Sequence, residues 1–217
     1  MDRRTPYRWL IFAAILVCPT VRGQVFLLNE EESRFLPGLY YFHKGCEYYK
    51  HGETGAAIDS WEIAASWAMK DAQYDLGIVH FLGDGVAVDR PRGLAWLALA
   101  AERKDEAYEV GLAAAWNEST QEEQARANEL WRELRLKYGD SVALPRAQNR
   151  YTQEVNHITG SQVGMNSNVR VWTRAGGTVE VTAYKAQLQE LADRNFGNLP
   201  EGTVDIGKLV PVIDDTQ

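Results

Sequence analysis

Along the first two thirds of the chain, apolar positions recur at the three- and four-residue steps of an α-helix, in paired blocks. The clearest block covers residues 71–101. Ala72, Leu76, Gly77 and His80 fall at helical spacing and share a face of a first helix. Gly83-Asp84-Gly85 then breaks the pattern, because glycine takes the positive-φ backbone of a tight helix exit without a Cβ penalty. Asp89 is placed to cap a second helix, and Pro91 suits its first turn, where a missing N–H costs no hydrogen bond. Leu94, Trp96, Leu97 and Ala100 give that second helix its apolar surface. The block predicts a helix–turn–helix unit with stop and start signals in place.

The unit recurs. Trp61, Trp96 and Trp131 stand 35 residues apart, and Ala72 and Ala107 keep the same interval. A period of this length marks stacked helical pairs that bury a shared core. The preceding unit is shorter. Residues 39–49 supply its first helix, and Gly52, Ala57, Ile58, Trp61, Ala64 and Ala65 its second. The third unit starts at Ala107, with Gly111 and Trp116. Its second helix spans residues 121–138, with Leu130, Trp131, Leu134 and Tyr138 as the apolar stripe. Ser119 followed by Glu122 predicts a capping box there, and Gly139 a stop. The heavily charged outer face of this helix suits the terminal cap of a solenoid.

Residues 71–101 resemble the Sel-one-like repeat, a relative of the tetratricopeptide repeat. Ala72, Leu76, Gly77, Gly83, Gly85, Val86, Asp89, Trp96, Ala100 and Ala101 stand at that family's motif positions, and Arg92 replaces its lysine. His80, Gly93 and Leu99 depart from it, standing where the family has tyrosine, alanine and lysine. The resemblance extends over residues 36–140. It implies an α-solenoid in which the first helix of each unit lines a concave groove that holds a protein or peptide. The groove positions would be Asp71, Tyr74, Ile78 and Phe81 in the central unit. They would be Leu36, Leu39, His43 and Cys46 in the first, and Glu106, Glu109, Ala113 and Trp116 in the third. His43, Tyr74, Ile78, Phe81, Glu109 and Trp116 are thus the expected partner-binding residues. Exported proteins of this kind resemble immunity partners of secreted toxins, which is the sharper form of the expectation.

The pattern changes beyond Ser141. Pro145, Gly160 and Gly164 punctuate a polar stretch that reads as linker. Val169, Val171 and Thr173 alternate with Arg170 and Trp172; Ala175-Gly176-Gly177 is a turn, and Val179 and Val181 alternate again, a hairpin signal. Residues 185–196 have helical spacing at Leu188, Leu191 and Ala192, with Gly197 as the stop, and residues 204–213 suggest further short strands.

The N-terminus carries a basic stretch (Arg3, Arg4, Arg8), an uncharged run over residues 9–18 and small residues at Val21 and Gly23, the layout of a secretory signal cleaved after Gly23. That run is too short for a membrane span, which takes about 20 apolar residues. Export is expected, to a periplasm or beyond, with no membrane span in the mature chain. Cleavage would remove Cys18 and leave Cys46 alone. The expected organisation is a signal peptide over 1–23, a repeat solenoid over 24–142, a linker or loop over 143–167 and a small α/β C-terminal module over 168–217. The fold class is mainly α: a short solenoid of about three helix-turn-helix repeats, then that module.

Composition narrows the chemistry. A net charge of −7 over 217 residues argues against nucleic acid, whose phosphates require clustered Lys and Arg. His43, Cys46 and His51 are close in sequence, but a structural zinc site takes four ligands and no second cluster exists, so no metal or cofactor is expected. Cys46 and His43 as nucleophile and base would lack an orienting third group and an oxyanion hole, so no catalytic residue is expected. Sel-one-like proteins described as enzymes carry a disulfide in each repeat, which this sequence lacks. The alternative class is a cell-envelope enzyme with its site in the C-terminal module, drawing on Asp193, Glu201, Asp205 and Asp214, which are scattered without a motif.

Overall fold

A computed structural model describes residues 33–158, 170–173 and 177–197; the expected signal peptide and the strands expected over 204–213 lie outside them. The chain is mainly helical. Helices α1 (Pro37–Lys50), α2 (Thr54–Ala65), α3 (Lys70–Leu82), α4 (Arg90–Ala100), α5 (Glu106–Asn117), α6 (Gln121–Tyr138) and α7 (Asp140–His157) follow one another. Strands β1 (Arg170–Thr173) and β2 (Gly177–Glu180) and helix α8 (Val181–Phe196) complete the described chain. No helix among the described residues is long and apolar enough to cross a membrane.

Local chemistry sets the helix ends. Gly83 ends α3 in a left-handed conformation, and its N–H donates to the Val79 carbonyl at 2.9 Å. The Asp89 carboxylate caps α4 by accepting the Arg92 N–H at 3.1 Å. The capping box of α6 sits one residue beyond its expected place. Thr120 accepts the Glu123 N–H at 3.2 Å while its own N–H donates to the Glu123 carboxylate at 2.8 Å. Ser119 instead donates to the Ala115 carbonyl at 2.8 Å. The sequence Ser-Thr-Gln-Glu-Glu offers two overlapping boxes, and only the second leaves Ser119 able to close the end of α5.

Helices α1 and α2 pack as one pair and α3 and α4 as another, and α2 meets α3 between them. The two pairs share one core. Trp61 of α2 and Trp96 of α4 are both buried there with Ala57, Ala64, Ala72, Leu76, Val79 and Tyr138. Glycines permit the close approach. A Cβ on Gly45 would lie 2.5 Å from the Trp61 indole, and one on Gly77 2.6 Å from Leu97. The third unit is built differently: α6 packs along α4, and Trp131 is only half-buried at the edge of the shared core. Helix α3 is buried on all sides from residue 72 to 79, where periodicity had assigned it a single apolar stripe.

Residues 143–157, expected as linker, belong to α7 instead. Pro145 removes one interior hydrogen bond, but Ala143, Leu144, Ala147 and Tyr151 face a second core with Phe35, Leu36, Leu188, Ala192 and Phe196. Burial of an apolar face, more than propensity, decides whether such a segment is helical. The same core claims α8, so this helix joins the helical body; it is not part of a separate α/β module. The backbones of β1 and β2 pair antiparallel, Arg170 opposite Glu180 through Thr173 opposite Gly177. Cys46 is buried in the first core and is disulfide-bonded, its partner outside the described residues. This differs from the expected lone Cys46, which presupposes loss of Cys18 with the signal peptide.

Candidate protein-interaction face

The structure separates the expected partner-binding residues into core and surface. Tyr74, Ile78 and Phe81 are buried, at 6, 2 and 2 % exposure, among Leu94, Leu97 and Ala100 of α4, Ala115 of α5 and Ala127 of α6. They do not line an open groove. Helix α5 lies over them, with Tyr108, Leu112 and Trp116 packed against the cluster. Gly111 makes that approach possible, because a Cβ there would stand 2.6 Å from the Tyr74 ring. The Tyr74 and Tyr108 rings lie 5.4 Å apart.

One hydrogen bond fastens the start of α5 to α3. The Tyr108 hydroxyl donates to Asp71 Oδ1 at 2.5 Å. Burial lifts the Asp71 carboxyl above its ordinary range, the Tyr108 hydroxyl opposes that shift, and the nearby Asp105 adds to it. Burial likewise raises the Tyr108 phenol. At the other end, the Arg90 guanidinium stacks 5.0 Å above the Phe81 ring and donates to the Glu118 carbonyl at 3.1 Å.

Glu109 is exposed and Trp116 half-buried, two turns apart on α5. Between them Val110 is 63 % exposed and Ala113 is exposed. His43 is half-buried on α1, which packs on α2 and is not joined to this surface. Burial, then the Lys50 charge, lowers its pKa. The accessible remnant of the expected site is therefore the outer side of α5. Its aromatic edge and carboxylate suit a desolvated contact with one charged neighbour.

Sequence reasoning passed over Tyr108 and Leu112. Their signal was present, since residues 108, 111, 112, 115 and 116 form one helical stripe. It also passed over a buried polar cluster. The Lys70 ammonium, 5 % exposed, donates to Gln73 at 3.0 Å, to the Leu99 carbonyl at 2.7 Å and to Glu102 at 2.9 Å. The Gln73 amide donates in turn to the Tyr138 carbonyl at 2.9 Å. These groups saturate one another and hold α6 and α7 against α3. Among the described residues, no three His, Cys, Asp or Glu side chains converge as metal ligands.

Comparison of the chain with protein-family models, curated proteins and solved structures yields no match.

Proposed function

We propose that this chain is an exported protein–protein interaction module, a Sel-one-like repeat array that holds a protein or peptide through the outer side of α5. The observation that carries this reading is the placement of Trp116. A large aromatic side chain, half-desolvated, one turn from exposed Ala113 and two turns from Glu109, has the character of an interface anchor. Stacked helical pairs supply the rigid support such an anchor needs. The sharper form is neutralisation of a secreted toxin, by analogy with exported proteins of the same repeat type. The enzyme alternative draws no support from Asp193, whose carboxylate accepts the Gln189 amide at 2.7 Å on its own helix. Glu201, Asp205 and Asp214 lie outside the described residues.

The test is capture from an envelope fraction with full-length protein, compared with Trp116→Ala and Glu109→Lys variants. A partner identified by mass spectrometry and lost with both substitutions supports the reading. Undiminished capture by both variants moves the contact surface elsewhere, with the segment around Arg170 and Trp172 next in line.

A further inference from the structure

We infer that α5 is a detachable cover, and that the aromatic surface beneath it receives an amphipathic helix from a partner carrying the same side-chain pattern as α5. The inference goes beyond the interaction reading, since it concerns the surface beneath α5 and not the outer side that carries Glu109 and Trp116. The first observation is how lightly α5 is anchored. Its fully buried residues are Gly111 and Ala115, which between them contribute a single methyl group. Tyr108, Leu112 and Trp116 stay partly exposed. By contrast α3 buries ten residues and α4 seven. Segments with few buried contacts open at a free energy well below that of global unfolding.

The second observation is that α6 is held directly by α4 and not through α5. Helix α6 packs directly along α4, and the Trp96 and Tyr138 rings meet at 4.7 Å within that contact. If α5 lifted away, α3, α4 and α6 would keep their mutual packing. The joint before α5 is Lys104, which sits in the left-handed region at φ 57°, a conformation that disfavours side chains other than glycine. The polar tie at that end is the Tyr108–Asp71 hydrogen bond.

The third observation is the shape α5 fills. The surface of Tyr74, Ile78, Phe81, Leu94 and Leu97 accepts a helix that presents glycine against the Tyr74 ring. Reading along α5, the complementary pattern is Tyr-x-x-Gly-Leu-x-x-Ala-Trp. A partner helix with a small residue at the glycine position, an aromatic three residues before it and another five after it would dock by replacing α5. Such helix-in-groove binding uses anchors at these steps.

Hydrogen exchange of the full chain by mass spectrometry, together with a peptide-binding assay, tests this. In wild type, α5 amides should exchange at least tenfold faster than those of α3, α4 and α6. Gly111→Leu should abolish α5 protection and leave the other three helices protected. A fluorescein-labelled peptide of residues 105–119 should then bind the Gly111→Leu protein at least tenfold more tightly than wild type, and adding Tyr74→Ala should remove that binding. Exchange of α5 in step with α4 and α6 overturns the inference. So does loss of protection everywhere in Gly111→Leu, or an opened α5 that leaves the peptide unbound. None of these readouts uses an outside partner. An α5 that opens with no captured partner sinks the interaction reading alone, and a captured partner with a rigid α5 sinks this inference alone.

Discussion

Arg103 and Asp140 form a two-point ion pair: Nε donates to Oδ2 at 2.7 Å, and one terminal nitrogen donates to Oδ1 at 3.0 Å. The same guanidinium donates to the Asn195 carbonyl at 2.7 Å and the Ala68 carbonyl at 3.1 Å. Lys70 lies 3.1 Å from the same carboxylate, and Glu102 accepts the Asp140 N–H at 3.0 Å. Four segments distant in sequence thus meet at one carboxylate, with α7 starting on it and α8 ending beside it. Burial alone would raise the Asp140 carboxyl, but Arg103 and Lys70 together hold it below its ordinary range.

Asp140→Ala should therefore be costly. It leaves Lys70 and Arg103 as buried or half-buried charges without their shared partner, a change that typically destabilises by about 3–5 kcal/mol. The urea midpoint should fall accordingly, and the α8 amides should lose protection. Arg126→Ala is the control. Its pair with Glu129 is fully in solvent, and its midpoint should stay where wild type lies. Equal midpoints for Asp140→Ala and Arg126→Ala would mean that the cluster does not hold the C-terminal helices.

The histidines set the mild-acid limb of stability. Burial, then the Arg92 charge, depresses the His80 pKa below 6.5, and burial does the same for His43. The unfolded chain then takes up protons first as pH falls. The stabilising contribution is present above 6.5 and is lost as pH drops through the folded-state values. The melting temperature should fall between about pH 7 and about pH 5, a window in which His is the side chain that ordinarily titrates. His80→Tyr, which replaces the imidazole with a ring that stays neutral in this window, should flatten that slope. An unchanged slope would assign the pH dependence to other groups.

Core and surface aromatics should part company. Trp96→Ala, Tyr74→Ala and Phe81→Ala each empty a buried aromatic site, and losses of about 3–5 kcal/mol are usual for such changes. Trp116→Ala removes a half-buried ring and should cost clearly less. Thermal melts of the four variants check this ordering. A Tyr74→Ala protein as stable as wild type would return Tyr74 to an open surface.

Export predicts a new N-terminus. Protein recovered from the envelope of an expressing host should begin at Gln24, measurable by mass spectrometry of the intact chain. An intact Met1 would set aside the export reading.

Much of the helical layout was legible because its causes are local. Gly83 and Asp89 act within a few residues of themselves: a left-handed glycine closes α3, and a carboxylate reaches the N–H three residues on. Trp61 and Trp96 were readable as core because equal spacing places both on the inner side of successive second helices. The Ser119 and Thr120 capping choices are locally degenerate, and the box forms at Thr120 and Glu123, one residue beyond the expected pair.

By itself the sequence determined where the first six helices and α8 could form, which helix ends carried their own caps, and that Trp61 and Trp96 would be buried. Only the tertiary structure decided that Tyr74, Ile78 and Phe81 are core, since their exposure depends on where α5 lies and not on their own spacing. It also decided that α7 continues through Pro145, because the stripe that outweighs the lost hydrogen bond meets partners from residue 35 to residue 196. The Arg103 bond to the Asn195 carbonyl joins residues 92 positions apart. Periodicity describes a helix one turn at a time; burial and charge pairing depend on which other helix arrives opposite it.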